Sequence, residues 1–124
     1  VIKKIPYELF KFKFLRKPLK ISYSFISKYF VEDIDIEEDL IPTIIPNWDH
    51  TPRSGKKGVV FHNSTPKLFR RHVLRVLDIV KNKKRKVIFL KSWNEWGEGN
   101  YMEPDLKNGK QYIKVLGEAL KNKQ

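Results

Sequence analysis

The chain has 124 residues and contains 26 basic and 14 acidic side chains, which gives a formal net charge of +12. This length suits one domain and is too short for a closed eight-stranded α/β barrel of about 250 residues. Charged residues make up 32% of the chain and leave no stretch that could span a bilayer, and the absence of cysteine excludes disulfides and thiolate metal sites.

The charges occur in blocks along the sequence. Residues 1–30 hold eight basic and one acidic side chain, residues 32–39 hold six acids, and residues 53–86 hold twelve bases and one acid. A basic chain raises nucleic acid as a partner, but this block distribution argues against a specific nucleic-acid interaction. The basic cluster at residues 81–86 falls where a helix should end. We therefore interpret it as a solvated turn, with a phosphate or anionic-membrane patch as the alternative.

In chain order, apolar and basic residues alternate between positions 9 and 15, which indicates an edge strand or an extended arm. Residues 22–30 are predicted to form a short helix, and residues 32–39 an acidic loop. Residues 40–46 follow as a short buried strand because they are rich in β-branched side chains. Residues 47–63 are interpreted as a polar loop that contains glycine.

The second half of the chain has the clearest periodicity. Ser64 or Thr65 is predicted to cap a helix with Pro66 in its first turn, and apolar residues then repeat at helical spacing up to Val80. Residues 87–90 predict a parallel strand covered on both faces, and residues 110–122 a second amphipathic helix. The order strand, loop, helix occurs twice, which predicts an α/β fold with both loops at the carboxyl-end rim of the strands.

The segment that follows the second strand in the sequence contains the candidate catalytic residues. Within eleven positions it holds three carboxylates, two indoles and a phenol: Trp93, Asn94, Glu95, Trp96, Gly97, Glu98, Gly99, Asn100, Tyr101, Met102 and Glu103. Two carboxylates commonly cleave or form a glycosidic bond, and aromatic faces are common platforms for sugar rings. Residues three apart diverge on an extended strand, so Glu95 and Glu98 converge only if the glycines form a turn. The alternative is a pair of ordinary surface glutamates.

The loop behind the first strand is expected to face this segment and contains Trp48, Asp49, His50 and Arg53. Arg53 is expected either to form a structural ion pair with Asp49 or to contact a phosphate or carboxylate of a substrate. The three histidines lack the spacing of metal ligands. They are therefore expected to make ordinary polar contacts, and no metal is predicted.

Four motifs in this order resemble the C-terminal part of the WbsX-like glycosyltransferases, over residues from about 22 to 120. They are the residues at 44–53 (Ile-Ile-Pro-Asn-Trp-Asp-His-Thr-Pro-Arg), Ser64-Thr65-Pro66 with Phe69, the residues at 93–99, and Met102-Glu103-Pro104-Asp105. That family occurs in bacterial lipopolysaccharide O-antigen and capsule gene clusters and is related to glycoside hydrolase family 99, the endo-α-mannosidases with a (β/α)8 barrel. His50 departs from the family, in which Asn is common at this position.

The resemblance implies roles for individual residues. Glu98 would be the general acid/base, and Glu95 would deprotonate the sugar 2-hydroxyl, whose oxygen displaces the leaving group through an epoxide-like intermediate with retention. No cofactor and no enzyme nucleophile would be needed. The implied substrate-binding residues are Trp48, Asp49, Arg53, Asn94, Trp96, Tyr101 and Glu103.

The resemblance also implies that the chain is part of a longer protein. Residues 1–21 would be a basic arm or a remnant of the preceding barrel segment, and residues 22–124 the C-terminal βα units of an incomplete (β/α)8 barrel. Such a piece is expected to be too short for activity alone and to require the rest of the barrel or self-association. The expected substrate is a glycan or a sugar nucleotide, with transfer and hydrolysis both open.

We expect a cytoplasmic location, because no export signal is recognisable, with peripheral contact at the inner membrane as a variant. Two other functions stay open. One is a truncated non-catalytic fragment that binds a glycan or a partner protein. The other, less favoured, is a basic nucleic-acid-binding module.

Overall fold

The computed structural model describes residues 17–121, so the predicted arm at residues 9–15 and most of the segment 1–21 lie outside the described residues. Seven strands lie in the described range: β1 (Leu19–Ser22), β2 (Thr43–Ile44), β3 (Trp48–Asp49), β4 (Val59–His62), β5 (Phe89–Leu90), β6 (Asn94–Glu95) and β7 (Asn100–Tyr101). The same range contains four α-helices: α1 (Tyr23–Ile26), α2 (Thr51–Ser54), α3 (Pro66–Val80) and α4 (Gln111–Lys121). The predicted mixture of helices and strands is confirmed.

The strands form three small sheets. β1 pairs with β4 in parallel, from Leu19 opposite Val59 onwards, and β3 pairs with the other side of β4 in antiparallel orientation. β2 and β5 form a separate parallel pair in which Thr43 lies opposite Phe89, and helix α3 lies between them in the sequence. β6 and β7, which follow β5 in the sequence, form an antiparallel pair. The loops after β2 and β5 therefore leave from the same end of a parallel pair.

Helix α3 forms where its local signals predict it. The Thr65 hydroxyl accepts a hydrogen bond from the Leu68 amide at 3.2 Å, and Pro66 occupies the first turn, where a missing N–H costs nothing. One face of the helix is fully buried and packs against α4, which begins one residue after the predicted start. The buried cluster between and around the two helices consists of Val31, Ile44, Phe69, Val73, Val76, Val80, Met102, Tyr112 and Ala119.

The prediction of one polar loop at residues 47–63 is wrong, because this segment contains β3, α2 and β4. β4 pairs with β1, a strand that the sequence analysis also missed. The apolar run of β4 is only three residues long and stands between glycine and histidine, so it has no local period that distinguishes it from a loop. Its ladder is formed by a segment about forty positions earlier in the chain, and that pairing stabilises the extended conformation.

The prediction that residues 87–90 form a strand covered on both faces is also wrong. Only Phe89 and Leu90 are in β5, and Phe89 remains 56% exposed while Val87 is 39% exposed. Ile88 and Leu90 face the core cluster, so one face of the strand is covered and the other is open. The predicted strand at residues 40–46 is likewise reduced to Thr43 and Ile44.

The basic cluster at residues 81–86 is not simply a solvated turn. The Lys83 side chain is buried and its ammonium donates to the carbonyl oxygens of Glu37 at 2.7 Å and Leu40 at 2.5 Å. The Lys84 amide donates to the Glu38 carboxylate at 2.8 Å. The acidic segment, which forms a 3-10 turn at Asp33–Ile36, is thus attached to the end of α3. The two oppositely charged blocks therefore lie side by side, and the hydrogen bond from the Lys84 amide, together with the Lys83 and Lys84 charges, lowers the pKa of Glu38.

None of the helices between residues 17 and 121 has both the length and the apolar character that a bilayer crossing requires.

Candidate functional site

The two loops that follow β2 and β5 in the sequence lie against each other, and two asparagines hold them together. The Asn100 side-chain amide donates to the Asn47 carbonyl oxygen at 2.7 Å, and the Asn47 side-chain oxygen accepts from the Tyr101 amide at 3.0 Å. Asn100 is fully buried. Because each side chain binds the backbone of the opposite loop, the pair sets the distance between the loops without any charge. Neither asparagine has a role that the sequence predicts.

The turn that holds the two candidate acids ends at Gly99. β6 ends at Glu95, a 3-10 turn spans Trp96–Glu98, and Gly99 follows with a φ of +52°, which favours glycine. A β-carbon at Gly99 would lie 2.8 Å from the Asp49 β-carbon, so this position also permits the close approach of the loops. Gly97 lies within the turn, as predicted, and its φ is not positive. It leaves room for the Arg53 guanidinium, 3.1 Å from where its β-carbon would be.

Arg53 lies between the two carboxylates. Its Nη2 is 2.8 Å from Glu95 Oε1, and its Nε is 3.8 Å from Glu98 Oε1. Of the two alternatives for Arg53, the ion pair with Asp49 is therefore wrong, and the contact with a substrate stays a prediction. Asp49 instead accepts from the amide and the hydroxyl of Thr51, at 2.9 and 2.5 Å, and so holds the start of α2. This arrangement directs Arg53, at the end of α2, toward the opposite loop.

Glu98 has a second neighbour in His50, whose Nε2 lies 3.7 Å from Glu98 Oε1. The other ring nitrogen, Nδ1, is 3.0 Å from the Ser54 hydroxyl, so His50 makes the ordinary polar contacts that were expected of it. The side chain of Glu98 is 20% exposed and that of Glu95 is 36% exposed. Both carboxylates are thus reachable from solvent and converge on one guanidinium.

The aromatic residues of the second loop form a stacked pair. Trp96 and Tyr101 lie with ring centroids 3.8 Å apart and an interplanar angle of 13°. The Trp96 indole N–H donates to Glu103 at 2.6 Å, which fixes the orientation of the ring. Trp96 therefore contacts two other predicted sugar-binding residues, Tyr101 and Glu103. Asn94 is exposed and lies opposite Tyr101 in the strand pair, whereas Trp48 lies on the first loop, with the Lys91 ammonium 5.0 Å from its ring centroid.

A cavity of about 280 Å³ is lined by Trp48 and Tyr101 and by Asp105 and Asn108 of the following turn. The Tyr101 hydroxyl donates to Asp105 at 3.1 Å, and burial together with this bond raises the pKa of Tyr101 to about 12. Burial alone would raise the pKa of Asp105 as well. Hydrogen bonds from the Asn108 backbone and side chain and from Tyr101 outweigh it and lower the pKa. Asp105 ends the motif Met102-Glu103-Pro104-Asp105, from which no role could be predicted for it, and the only sequence signal at Asn108 is that of a turn residue before Gly109.

One histidine does not behave as expected. His72, on α3, is 1% exposed, and neither of its ring nitrogens has a hydrogen-bond partner of ordinary geometry within the described residues. The Thr43 backbone acts on the ring and opposes the lowering of the His72 pKa by burial, so the predicted polar contact is weak rather than ordinary. In the part of the chain that the structure describes, no group of three or more histidine, aspartate and glutamate side chains is placed to hold a metal ion.

The sequence model of the family described as Glycosyltransferase WbsX matches residues 3–116. The chain therefore belongs to the WbsX glycosyltransferase family, as its motifs indicated. Among curated proteins it is similar to the uncharacterized protein WxcX from two strains of Xanthomonas campestris pv. campestris, B100 and ATCC 33913, with 30% identity over 84 residues in each case. The match covers 65% of this chain and 12% of the relative, so the chain spans only a small part of the length of these proteins. No solved structure matches it.

Proposed function

We propose that this chain supplies the acid/base loop of a carbohydrate-active enzyme that assembles cell-surface polysaccharide, including lipopolysaccharide, in bacteria. Membership of the WbsX glycosyltransferase family supports the general class. The observation that supports the catalytic roles best is the convergence of Glu95 and Glu98 on Arg53 at the meeting point of two loops. In this arrangement the two carboxylates lie close enough together to act on one substrate.

Glu98 is proposed as the general acid/base. It is the less exposed of the two, and its contact with Arg53 is longer, at 3.8 Å, so its oxygens are less engaged by the guanidinium. Glu95 makes the short contact at 2.8 Å and is proposed as the base for the sugar 2-hydroxyl. In the proposed step Glu95 takes the 2-hydroxyl proton and that oxygen bonds to the anomeric carbon. The glycosidic bond breaks, and Glu98 gives its proton to the departing oxygen.

Arg53 is proposed to bind the charged part of a substrate as well as to orient the two acids. Its side chain is 54% exposed, and a guanidinium has five N–H donors, more than the contacts with Glu95 and Glu98 require. A sugar nucleotide offers a diphosphate that such a fork binds well. The stacked Trp96–Tyr101 pair, held by Glu103, and Trp48 beside the cavity are proposed as the platforms for sugar rings, with Asp49 and Asn94 at the edge of the same site.

We further propose that the fold is the C-terminal part of a (β/α)8 barrel, within a protein related to glycoside hydrolase family 99. The parallel crossover from β2 through α3 to β5 is compatible with such a barrel. The exposed face of Phe89 and Val87 would then be covered by the rest of the barrel or by a second copy. We propose a cytoplasmic location with peripheral contact at the inner membrane.

The test is made in an enzyme that contains this segment, with Glu98→Gln compared with Glu118→Gln, an exposed glutamate on α4. Because general acid/base catalysis contributes about 10²- to 10⁴-fold, Glu98→Gln should lower the rate of glycosyl transfer or hydrolysis by that factor. Glu118→Gln should leave the rate unchanged. Undiminished turnover in Glu98→Gln would exclude the acid/base role. A donor sugar without a 2-hydroxyl tests Glu95 separately, since normal turnover of that donor would contradict the proposed base.

A second candidate function is a non-catalytic glycan-binding or partner-binding fragment. It is favoured by the large exposed aromatic surface, with Trp93 49% and Trp96 47% exposed, beside acids that are already paired with Arg53. The two functions differ in one measurement on the 124-residue chain. Saturable sugar binding, followed by tryptophan fluorescence and unaffected by Glu98→Gln, together with no turnover in the longer enzyme would favour the binding fragment.

A further inference from the structure

A second cavity, of about 360 Å³, lies away from the candidate acid loop, between α3 and the segment formed by α1 and the following 3-10 turn at Ser27–Tyr29. Its lining is strongly basic and contains Lys28 from that segment and Arg71 and Arg75 from α3. No acidic side chain lines this cavity among residues 17–121. Arg71 and Arg75 are four positions apart on one helix face, where like charges oppose helix stability. A bound anion would therefore stabilise the positive charges that are gathered at this cavity.

Arg75 is held in place before any ligand arrives. Its Nη1 and Nη2 donate to the carbonyl oxygens of Ser27 and Lys28, at 3.1 and 3.0 Å. These bonds attach the guanidinium to the opposite wall, and three of its five N–H donors are not used by them. Fixing an arginine in this way lowers the entropic cost of binding an oxyanion.

His72 provides an independent observation at the same place. It lines this cavity, is 1% exposed, and has no hydrogen-bond partner of ordinary geometry for either ring nitrogen in the described part of the chain. Burial lowers the pKa of His72 to about 4, with the Arg75 charge acting in the same direction and the Thr43 backbone opposing it. The ring is therefore neutral near pH 7 and has one N–H donor. The Thr43 backbone acts on one ring nitrogen, and the other is a buried polar atom at the cavity. Buried polar atoms in native proteins nearly always have a partner.

We propose that this basic cavity binds a phosphate group, with Arg71 and Arg75 as the charged donors, Lys28 as a further cation and a ring nitrogen of His72 at its base. The chemistry is that of a compact oxyanion, which charge-assisted donors from several directions bind best. Two sources share this chemistry, a soluble phosphate or phosphomonoester and the headgroup of an anionic lipid. The proposal concerns a site separate from the acid loop and does not depend on the catalytic roles proposed above.

The experiment uses the 124-residue chain and inorganic phosphate, titrated at constant ionic strength and followed by calorimetry and by the ring ¹⁵N resonances of His72. Arg71→Met is compared with Arg70→Met, which removes the same charge from the adjacent position, outside the cavity lining. Loss of a charge-assisted hydrogen bond should weaken phosphate binding about tenfold or more in Arg71→Met. Arg70→Met should stay within about twofold of the wild type, and far-UV circular dichroism checks that both variants are folded.

Saturable binding that shifts the His72 resonances and is weakened only by Arg71→Met would support the site. Absence of saturation, an unchanged His72 signal, or equal weakening in both variants would overturn it, since equal weakening means a diffuse charge effect. Vesicles of phosphatidylcholine with and without phosphatidylglycerol distinguish the sources. Co-sedimentation that needs phosphatidylglycerol, is lost in Arg71→Met and is competed by phosphate identifies a lipid headgroup. Phosphate binding without co-sedimentation identifies a soluble phosphate.

Discussion

The helical layer and the candidate acid loop are stabilised in different ways. Phe69, Val73 and Val76 on α3 are all 0% exposed and owe their positions to close packing. In the acid loop, by contrast, Glu95 and Trp96 are partly exposed, and hydrogen bonds, one ion pair and one ring stack fix their positions. The difference separates two kinds of substitution. Changes in the helical layer should act on stability, whereas changes in the acid loop should act on ligand binding with a smaller effect on stability.

Phe69→Ala should have the largest effect. Phe69 is fully buried and lies 5.5 Å from the Tyr112 ring, so its loss leaves a cavity between α3 and α4. We expect a decrease of about 3–5 kcal/mol in the free energy of unfolding, measured by urea denaturation. Phe89→Ala makes the same chemical change at a residue that is 56% exposed, and it should cost about 1 kcal/mol or less. Similar losses in the two variants would contradict the assignment of the core.

His72 should make the stability of the helical layer depend on pH. Its pKa is lowered to about 4 in the folded chain, against about 6.5 for an unfolded histidine. Between these values the unfolded chain binds a proton that the folded chain does not, so stability falls as pH is lowered from about 6.5 to 4. The expected contribution is roughly 3 kcal/mol.

The measurement compares the wild type with His72→Leu at several pH values, because carboxylates contribute to both proteins equally. The difference in unfolding free energy should change in favour of His72→Leu as the pH falls. His62→Gln, at an exposed histidine, should follow the wild type. A difference that stays constant between pH 7 and pH 4 would show that burial of His72 is not linked to protonation.

Gly99→Ala tests the contact between the two loops, and Gly109→Ala is its control. Both glycines have a positive φ, +52° and +54°, so both variants bear the cost of about 1–2 kcal/mol for a left-handed alanine. Only at Gly99 would the new β-carbon meet another atom, 2.8 Å away in Asp49. We expect about 1–3 kcal/mol of additional destabilisation for Gly99→Ala, measured by thermal unfolding. Equal losses at the two positions would mean that the loops are farther apart.

Arg53→Met should have the smallest effect on stability. The Arg53 side chain is 54% exposed, and exposed ion pairs contribute about 0.2–1 kcal/mol. Its effect should instead be local: the Gly99 amide, which donates to the Trp96 carbonyl at 3.0 Å, should exchange its hydrogen faster. The Met102 amide, which donates to the Trp93 carbonyl, serves as the reference and should keep its exchange rate. A loss of several kcal/mol in overall stability would show that Arg53 stabilises the fold as a core residue does.

The two long helices, α3 and α4, could be predicted because their signals are local. A capping threonine, a proline in the first turn and apolar residues at helical spacing all lie within α3 itself. The β1–β4 pair could not be predicted in the same way, since Leu19 and Val59 are forty positions apart and the ladder depends on their meeting. A short apolar run has no period that excludes a loop.

The candidate site was predictable in its residue types but not in its pairings. The glycines, glutamates and aromatics near Glu95 indicated a turn with converging side chains, and the structure has that turn. The choice of partner for Arg53 depended on whether Asp49 was free, and Asp49 is occupied by Thr51. Lys83 shows the same limit in another region, because charge counting cannot tell which lysine of a cluster will be buried against two carbonyl oxygens.

The two hydrogen bonds between Asn47 and strand β7 affect how the cleft between the two loops responds to salt. Amide and carbonyl dipoles are hardly screened by mobile ions, whereas the attraction between Arg53 and the glutamates weakens as ionic strength rises. The width of the cleft and the electrostatics inside it are therefore controlled independently. High salt would weaken the contacts of Arg53 with Glu95 and Glu98 while the two loops kept their separation. A charged substrate could therefore replace those contacts without any rearrangement of the backbone.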